Sequence, residues 1–363
     1  MVERALNRWQ RAGLLDADTV ARIIAWETAH AGGRLGWPVM LALALGALTV
    51  GAGILLFVAA HWDALSPGAR FALVLTLVAG FHLGGAASAA RFPALSTALH
   101  GLGTAALGAG IFLAAQIFHL QEHWPGGVLL WALGAWAGWF LLRDWVQAEW
   151  AALLTPVWLV GEWIVATGSA AGAGSVAAAG VFTLAVAYLG ARRRDDRSWV
   201  RAALMAVGAV ALIPATIALY FSIEHRYGVP MTALQYGLGW TIALGAPVTL
   251  ACLLRGRAAW PVAVGAMWAA FAVWVAWPPL LAYLWCALAA VALIGWGVLE
   301  ARRERVNLGI AGFAMTVLAF YFSSVADKLG RAASLIVIGV LLLLGGYLLE
   351  RLRRRLVARM AAG

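Results

Sequence analysis

Charged side chains are scarce in this sequence. They make up 12% of its 363 residues, about half the ~25% of an ordinary soluble domain. Only one lysine is present, Lys328, so no GxxxxGK phosphate loop can be built. HExxH, GxSxG and a GxGxxG opening a soluble βαβ unit are missing too. These gaps remove the standard hydrolase and nucleotide-binding classes. The two cysteines, Cys252 and Cys286, lie inside apolar stretches without CxxC spacing. There they act as small hydrophobes and supply neither a disulfide framework nor a metal centre. A signal-peptide pattern is also absent, because about thirty amphipathic residues precede the first apolar run.

What fills the chain instead is apolar. Hydrophobic residues reach 64%, against ~45–50% in soluble domains. No soluble fold of this size can hide so much apolar surface, so lipid is the solvent for most of the chain. About twelve stretches approach the ~20 residues that a spanning helix needs. They run over 37–60, 69–90, 95–118, 126–142, 149–167, 174–190, 199–222, 234–254, 258–276, 278–299, 307–323 and 333–350. The predicted fold is all-α, a polytopic integral membrane helix bundle of about twelve transmembrane helices over 37–350. Residues 1–36 precede it and a basic tail, 351–363, follows. Roughly seven residues remain for each connection, which leaves no room for a soluble catalytic domain.

A net charge of +10 would suit nucleic acid, but the basic residues form short clusters between apolar spans. They read as topology signals, and no nucleic-acid partner is expected. With both termini in the cytoplasm, 22 of the 26 basic residues fall on inner segments. Only Arg70, Arg226, Lys328 and Arg331 fall outside. One miscounted helix in mid-chain would destroy that asymmetry, so the number of spans is even.

Residues 1–36 read as a cytoplasmic amphipathic helical hairpin. Val2, Leu6 and Trp9 make one helical stripe, Gly13 breaks it, and Asp16 or Asp18 caps a second helix carrying Val20, Ile23, Ile24 and Trp26. This hairpin is either a surface anchor or a docking surface for a protein partner. A weak parallel repeat links the turn at Ala60–Leu65 with that at Ala326–Leu329. Tryptophans such as Trp37, Trp62, Trp124, Trp145 and Trp150 fall near span ends as an aromatic belt. Small-residue pairs, Gly80/Gly84, Gly134/Gly138 and Gly168/Gly172, suit close helix packing.

Several segments are familiar: FVAAHWDAL (57–65), AAQIFHL (114–120), LLWALGAW (129–136), RVNLGIAGF (305–313), ERLRRRL (350–356) and the leader WQRAGLLDADTVARIIAWE (9–27). The chain resembles a bacterial family of predicted membrane proteins, domain of unknown function 2157. The likeness is strongest before residue 165 and after residue 300. That family's first outward turn reads alanine–asparagine–tryptophan–aspartate. Ala60, Trp62 and Asp63 match it, whereas His61 stands in place of the asparagine. The resemblance implies a multi-pass protein of the bacterial inner membrane and carries no activity with it.

Polar residues inside lipid are costly unless paired, so each needs a reason. Glu162, in span five, is the sharpest. It is either a proton or cation site, with carbonyls opened by a kink at Pro156, or a protonated group bonded to a neighbouring helix. Trp158 and Trp163 flank it. His82 and His100 lie at similar inner depth on spans two and three, which a short turn makes antiparallel. They read as a proton relay or an interhelical hydrogen-bond pair. Gln116 completes this intramembrane set. A second cluster collects on the outer turns: His61, Asp63, His119 and His123, with Glu122, Glu224, His225 and Asp327 nearby. Imidazoles and carboxylates suit transition metals, yet no tight ligand spacing repeats, so no metal, cofactor or catalytic group is assigned. Pro156, Pro214 and Pro247 interrupt spans as helix breaks, which often mark transporter sites. Three functions remain open. The chain is a transporter or flippase for a small solute or lipid-like molecule, a non-catalytic membrane scaffold or complex subunit, or an intramembrane enzyme using the outer His/Asp cluster.

Overall fold

A computed structural model describes residues 13–30, 65–117, 123–192, 198–224, 229–275 and 279–325, with Leu6, Trp9, Gln10, Thr49, Gly339 and Val340. The predicted first and twelfth spans therefore lie outside the described residues. Met1–Arg70 and Phe71–Gly363 form two compact units. In the first, Gly13 turns the chain at φ +70. Asp16 then caps α1 (Ala17–His30) by accepting from the Thr19 amide at 2.6 Å.

Nine helices among the described residues are long and apolar enough to cross a membrane. They follow one another as hairpins, and no strands occur among the described residues. α2 (Pro67–Ser88) and α3 (Pro93–Ile117) run antiparallel, with Val74 against Gly110 at one end and Gly84 against Leu99 at the other. α4 (Trp124–Leu142) and α5 (Trp145–Thr167) are joined by Arg143 and Asp144 alone. Arg143 adopts a left-handed conformation, φ 53, and lays its guanidinium over Trp139 and Phe140. Asp144 caps α5 through the Val146 amide at 3.3 Å. Pairing runs the full length of the hairpin, from Gly138 against Gln147 to Trp124 against Gly161.

α6 (Ala173–Gly190) is the most enclosed of the nine. Its alanines let neighbours close in, and Gly208 of α7 (Trp199–Glu224) sits directly on the α6 backbone at Ala185–Leu189. Packing of this kind drives helix association where lipid tails compete equally for apolar surface. α8 (Ala233–Trp240), a π turn at Thr241–Gly245, α9 (Ala246–Arg255), a 3-10 turn at Gly256–Ala259 and α10 (Trp260–Trp274) form one helical run of 42 residues. A straight helix would part Trp240 from Trp274 by about 50 Å. Their ring centroids are 5.5 Å apart. The run therefore folds back, at Gly256 with φ +60, and its arms are the predicted eighth and ninth spans. α11 (Pro279–Leu299) and α12 (Arg303–Phe320) close the described bundle, meeting at Gly297 with Val306 and Gly309 with Ile294.

Tryptophan marks helix starts, as Trp124, Trp145, Trp199 and Trp260 each open a helix and remain exposed. Two glycine expectations need correction. Gly168 and Gly172 do not pack helices together; they carry φ +53 and +82 in the α5–α6 turn. Gly80 faces open space, with nothing within 4 Å of an added Cβ.

The proline expectation is corrected as well. α5 and α7 run unbroken through Pro156 and Pro214. Only Pro247 follows an irregularity, the π turn before α9. Pro156 cannot donate to the carbonyl four residues back, that of Ala152. Tyr188 of α6 takes that acceptor with its hydroxyl at 3.1 Å. A neighbour that re-satisfies the freed group lets a spanning helix keep its course.

Candidate functional site

Two polar clusters occupy opposite ends of the α2–α5 region. The first is built on Glu162, one and a half turns before the end of α5. Trp158 lies one turn earlier on the same face, and its indole N–H donates to Glu162 Oε1 at 2.9 Å. His123, the residue before α4, brings Nε2 to 3.0 Å from the same oxygen. The two-residue α4–α5 turn at the far end fixes the register that sets His123 beside Glu162. The cluster is open: the Glu162 side chain keeps 35% of its surface exposed and that of His123 49%. Glu162 is thus not enclosed in the bundle, and Pro156 opens no carbonyl toward it, because Tyr188 covers the one it frees. Among the described residues, no hydrogen bond engages Oε2. The arrangement pairs a carboxylate with an imidazole able to exchange a proton, fixes one oxygen with an indole, and leaves the second to accept from a ligand or water.

The second cluster joins α2, α3 and α5. His82 Nδ1 and His100 Nδ1 are 3.0 Å apart. One ring nitrogen must donate and the other accept. Glycines make the approach possible, since a Cβ on Gly85 would fall 2.8 Å from His100 Nε2 and one on Gly103 2.7 Å from His82 Nε2. The backbone behind His100 is equally occupied. Its carbonyl accepts from Gln147 Nε2 at 3.0 Å, while Thr104 Oγ1 donates to Gln147 Oε1 at 2.8 Å. Trp131 Nε1 donates to the Thr104 carbonyl at 2.7 Å. Gln147 is fully buried. The sequence placed it in the turn before span five, where a polar residue draws no attention, and only the Gly138 face of α4 reveals its enclosure.

The remaining expectations fall apart spatially or lie elsewhere. Gln116 is exposed on α3 and joins neither cluster. His123 pairs with Glu162. His61, Asp63 and His119 lie outside the described residues, as do Glu122, His225 and Asp327. Among the described residues no group of three His, Cys, Asp or Glu side chains could hold a metal ion.

Comparison with known proteins agrees with this picture of a lipid-embedded chain. Residues 7–147 match the model of a family described as predicted membrane protein, domain of unknown function 2157. That segment includes the leader and the α2–α4 helices; the similar-looking segments after residue 300 lie beyond it. Neither the curated proteins nor the solved structures contain a match to the chain.

Proposed function

We propose that this multi-pass membrane protein is a transporter or flippase of the bacterial inner membrane, with both termini cytoplasmic, for a small solute or lipid-like molecule. The observation that carries the reading is the half-open Glu162–His123–Trp158 cluster. A carboxylate in a spanning segment is costly, and among the described residues no Lys or Arg pairs with this one, nor is it shut away. Among those residues one of its oxygens accepts no hydrogen bond and stands beside an imidazole, a fitting station for a proton or a polar ligand group. The His82–His100 pair on α2 and α3, toward the other end of the α2–α5 region, supplies a second proton-exchanging station. Proteoliposomes loaded with a mixture of small metabolites test this. Under an imposed pH gradient the wild-type chain should release at least one of them faster than empty liposomes, and Glu162→Gln and His123→Gln should abolish that release.

A scaffold role through residues 1–36 has one supporting observation: Trp9 and Leu14 beside the Gly13 turn are exposed, at 47% and 71%. Residues 1–36 fused to an affinity tag should then retain a stoichiometric partner that Trp9→Ser and Leu14→Ser release.

A further inference from the structure

Five arginines gather where α9, α11 and α12 end or begin. Arg255 closes α9 and Arg257 lies in the 3-10 turn after it. Arg302 precedes α12, and Arg303 and Arg305 stand in its first turn. Glu300, after α11, holds the two buried ones. Its Oε1 is 2.6 Å from Arg255 Nη2 and its Oε2 2.6 Å from Arg305 Nη1. Trp296 donates its indole N–H to Oε1 at 2.7 Å, and its ring lies 3.8 Å beneath the Arg305 guanidinium. Arg305 also reaches the Leu189 carbonyl at 3.4 Å, and Arg302 pairs with Glu304 at 2.7 Å.

Among the described residues the cluster carries surplus positive charge: at these helix ends two carboxylates, Glu300 and Glu304, oppose five guanidiniums. The Arg255 side chain is 4% exposed and that of Arg305 fully enclosed, yet among the described residues Arg255 Nε and Nη1 and Arg305 Nε have no hydrogen-bond partner. Unmade bonds of a buried charged donor are expensive. The α12 N-terminus adds the positive end of its dipole, and Arg302 gives it no side-chain cap. A membrane topology signal needs basic residues at a helix end; it does not need two of them buried with free donors.

We propose that this end of the bundle is an oxyanion site that takes a phosphate group. Arg257 and Arg303, both exposed, meet the group at the rim with Arg302, and the buried Arg255 and Arg305 supply the field beneath. Guanidiniums match phosphate oxygens in pairs, and basic pockets at the ends of spanning helices take phospholipid headgroups. The phosphate belongs either to an anionic lipid or to a soluble anion.

The full chain is purified in detergent and titrated with inorganic phosphate. It is also placed in nanodiscs of phosphatidylglycerol with phosphatidylcholine, and the lipid retained after delipidation is counted by native mass spectrometry. The site predicts bound phosphate or one retained phosphatidylglycerol per chain, with R257Q/R303Q binding about tenfold more weakly. Both positions are exposed, so the double variant should elute and unfold as the wild type does without anion. Arg143→Gln, an exposed arginine at the α4–α5 turn, should leave binding unchanged. Phosphate binding in detergent assigns a soluble anion, and retained phosphatidylglycerol without it assigns a lipid headgroup. Wild-type protein that holds neither, or equal loss in Arg143→Gln and R257Q/R303Q, overturns the proposal.

Discussion

The α2–α5 and α6–α12 regions solve one problem in two ways. Both must bury polar side chains among helices whose outer faces belong to lipid. In α2–α5 the interhelical network is built on amide, hydroxyl and backbone groups: Gln147 donates to the His100 carbonyl and accepts from Thr104. In α6–α12 neutral Ser175 and Thr183 are buried too, but the network that ties helix ends together is ionic, with two enclosed guanidiniums sharing the carboxylate of Glu300. Neutral networks close on themselves. A charged cluster with unequal numbers leaves a remainder, and that remainder is what recruits a counter-charge. The seam between the regions includes Tyr188 of α6 on the Ala152 carbonyl, Trp163 of α5 on the Ala173 carbonyl and Gln235 of α8 on the Ala166 carbonyl.

The sharpest way to break the comparison is Glu300→Gln. It would leave Arg255 and Arg305 buried opposite a neutral amide and should destabilise the chain by about 3 kcal/mol or more, read as a lowered thermal unfolding midpoint in detergent. The same carboxylate sets an acid limb. Burial pushes the Glu300 carboxyl up, but hydrogen bonds from Arg255, Trp296 and Arg305 outweigh it and hold it below its ordinary value. A depressed carboxylate contributes stability above its unfolded pKa, which is lost as pH falls through the folded one. Wild-type stability should therefore drop on acidification below the ordinary glutamate range, and that limb should be shallower in Glu300→Gln.

Next comes the seam. Tyr188→Phe should cost about 1–2 kcal/mol, because the Ala152 carbonyl loses its donor while staying buried. In a Pro156→Ala background the same change should cost much less, since the amide at position 156 recovers that acceptor. Equal costs in both backgrounds would show that Tyr188 acts by packing alone. In the neutral region Gln147→Leu should cost about 1 kcal/mol. A loss as large as that of Glu300→Gln would erase the distinction between the regions. The smallest effect on stability belongs to Glu162→Gln, within about 0.5 kcal/mol, as the group is half-exposed and glutamine still accepts from Trp158.

Much of the helix pattern was legible because lipid imposes it. Length and apolarity locate the described spans from α2 to α12, and the short turn at 89–92 was enough to set His82 opposite His100. The sequence offered Asp16 or Asp18 as a cap, and the structure uses Asp16. What stayed hidden depends on partners far along the chain. Glu162 meets His123 across 39 residues and Arg255 meets Glu300 across 45. Hydropathy sorts residues by depth; it does not choose which neighbour they face. The arginines were legible as a topology signal, yet that signal is blind to burial, so Arg257 and Arg305 read alike although one is exposed and the other enclosed. Pro156 misled for the same reason: the donor that takes up the carbonyl it frees, that of Ala152, comes from Tyr188, 36 residues further along the chain from Ala152. Gly168 and Gly172 matched a packing motif by spacing, while their positive φ values serve a turn.

The transport reading stands or falls with the polar station proposed at Glu162 in the α2–α5 region. The most direct measurement is efflux from metabolite-loaded proteoliposomes, comparing wild type, Glu162→Gln and Glu300→Gln at equal amounts of folded protein. The account predicts release of at least one solute by wild type, its loss in Glu162→Gln with stability intact, and its persistence in whatever fraction of Glu300→Gln remains folded. Release that is unchanged by Glu162→Gln, or no release above empty liposomes from well-folded wild type, would contradict it.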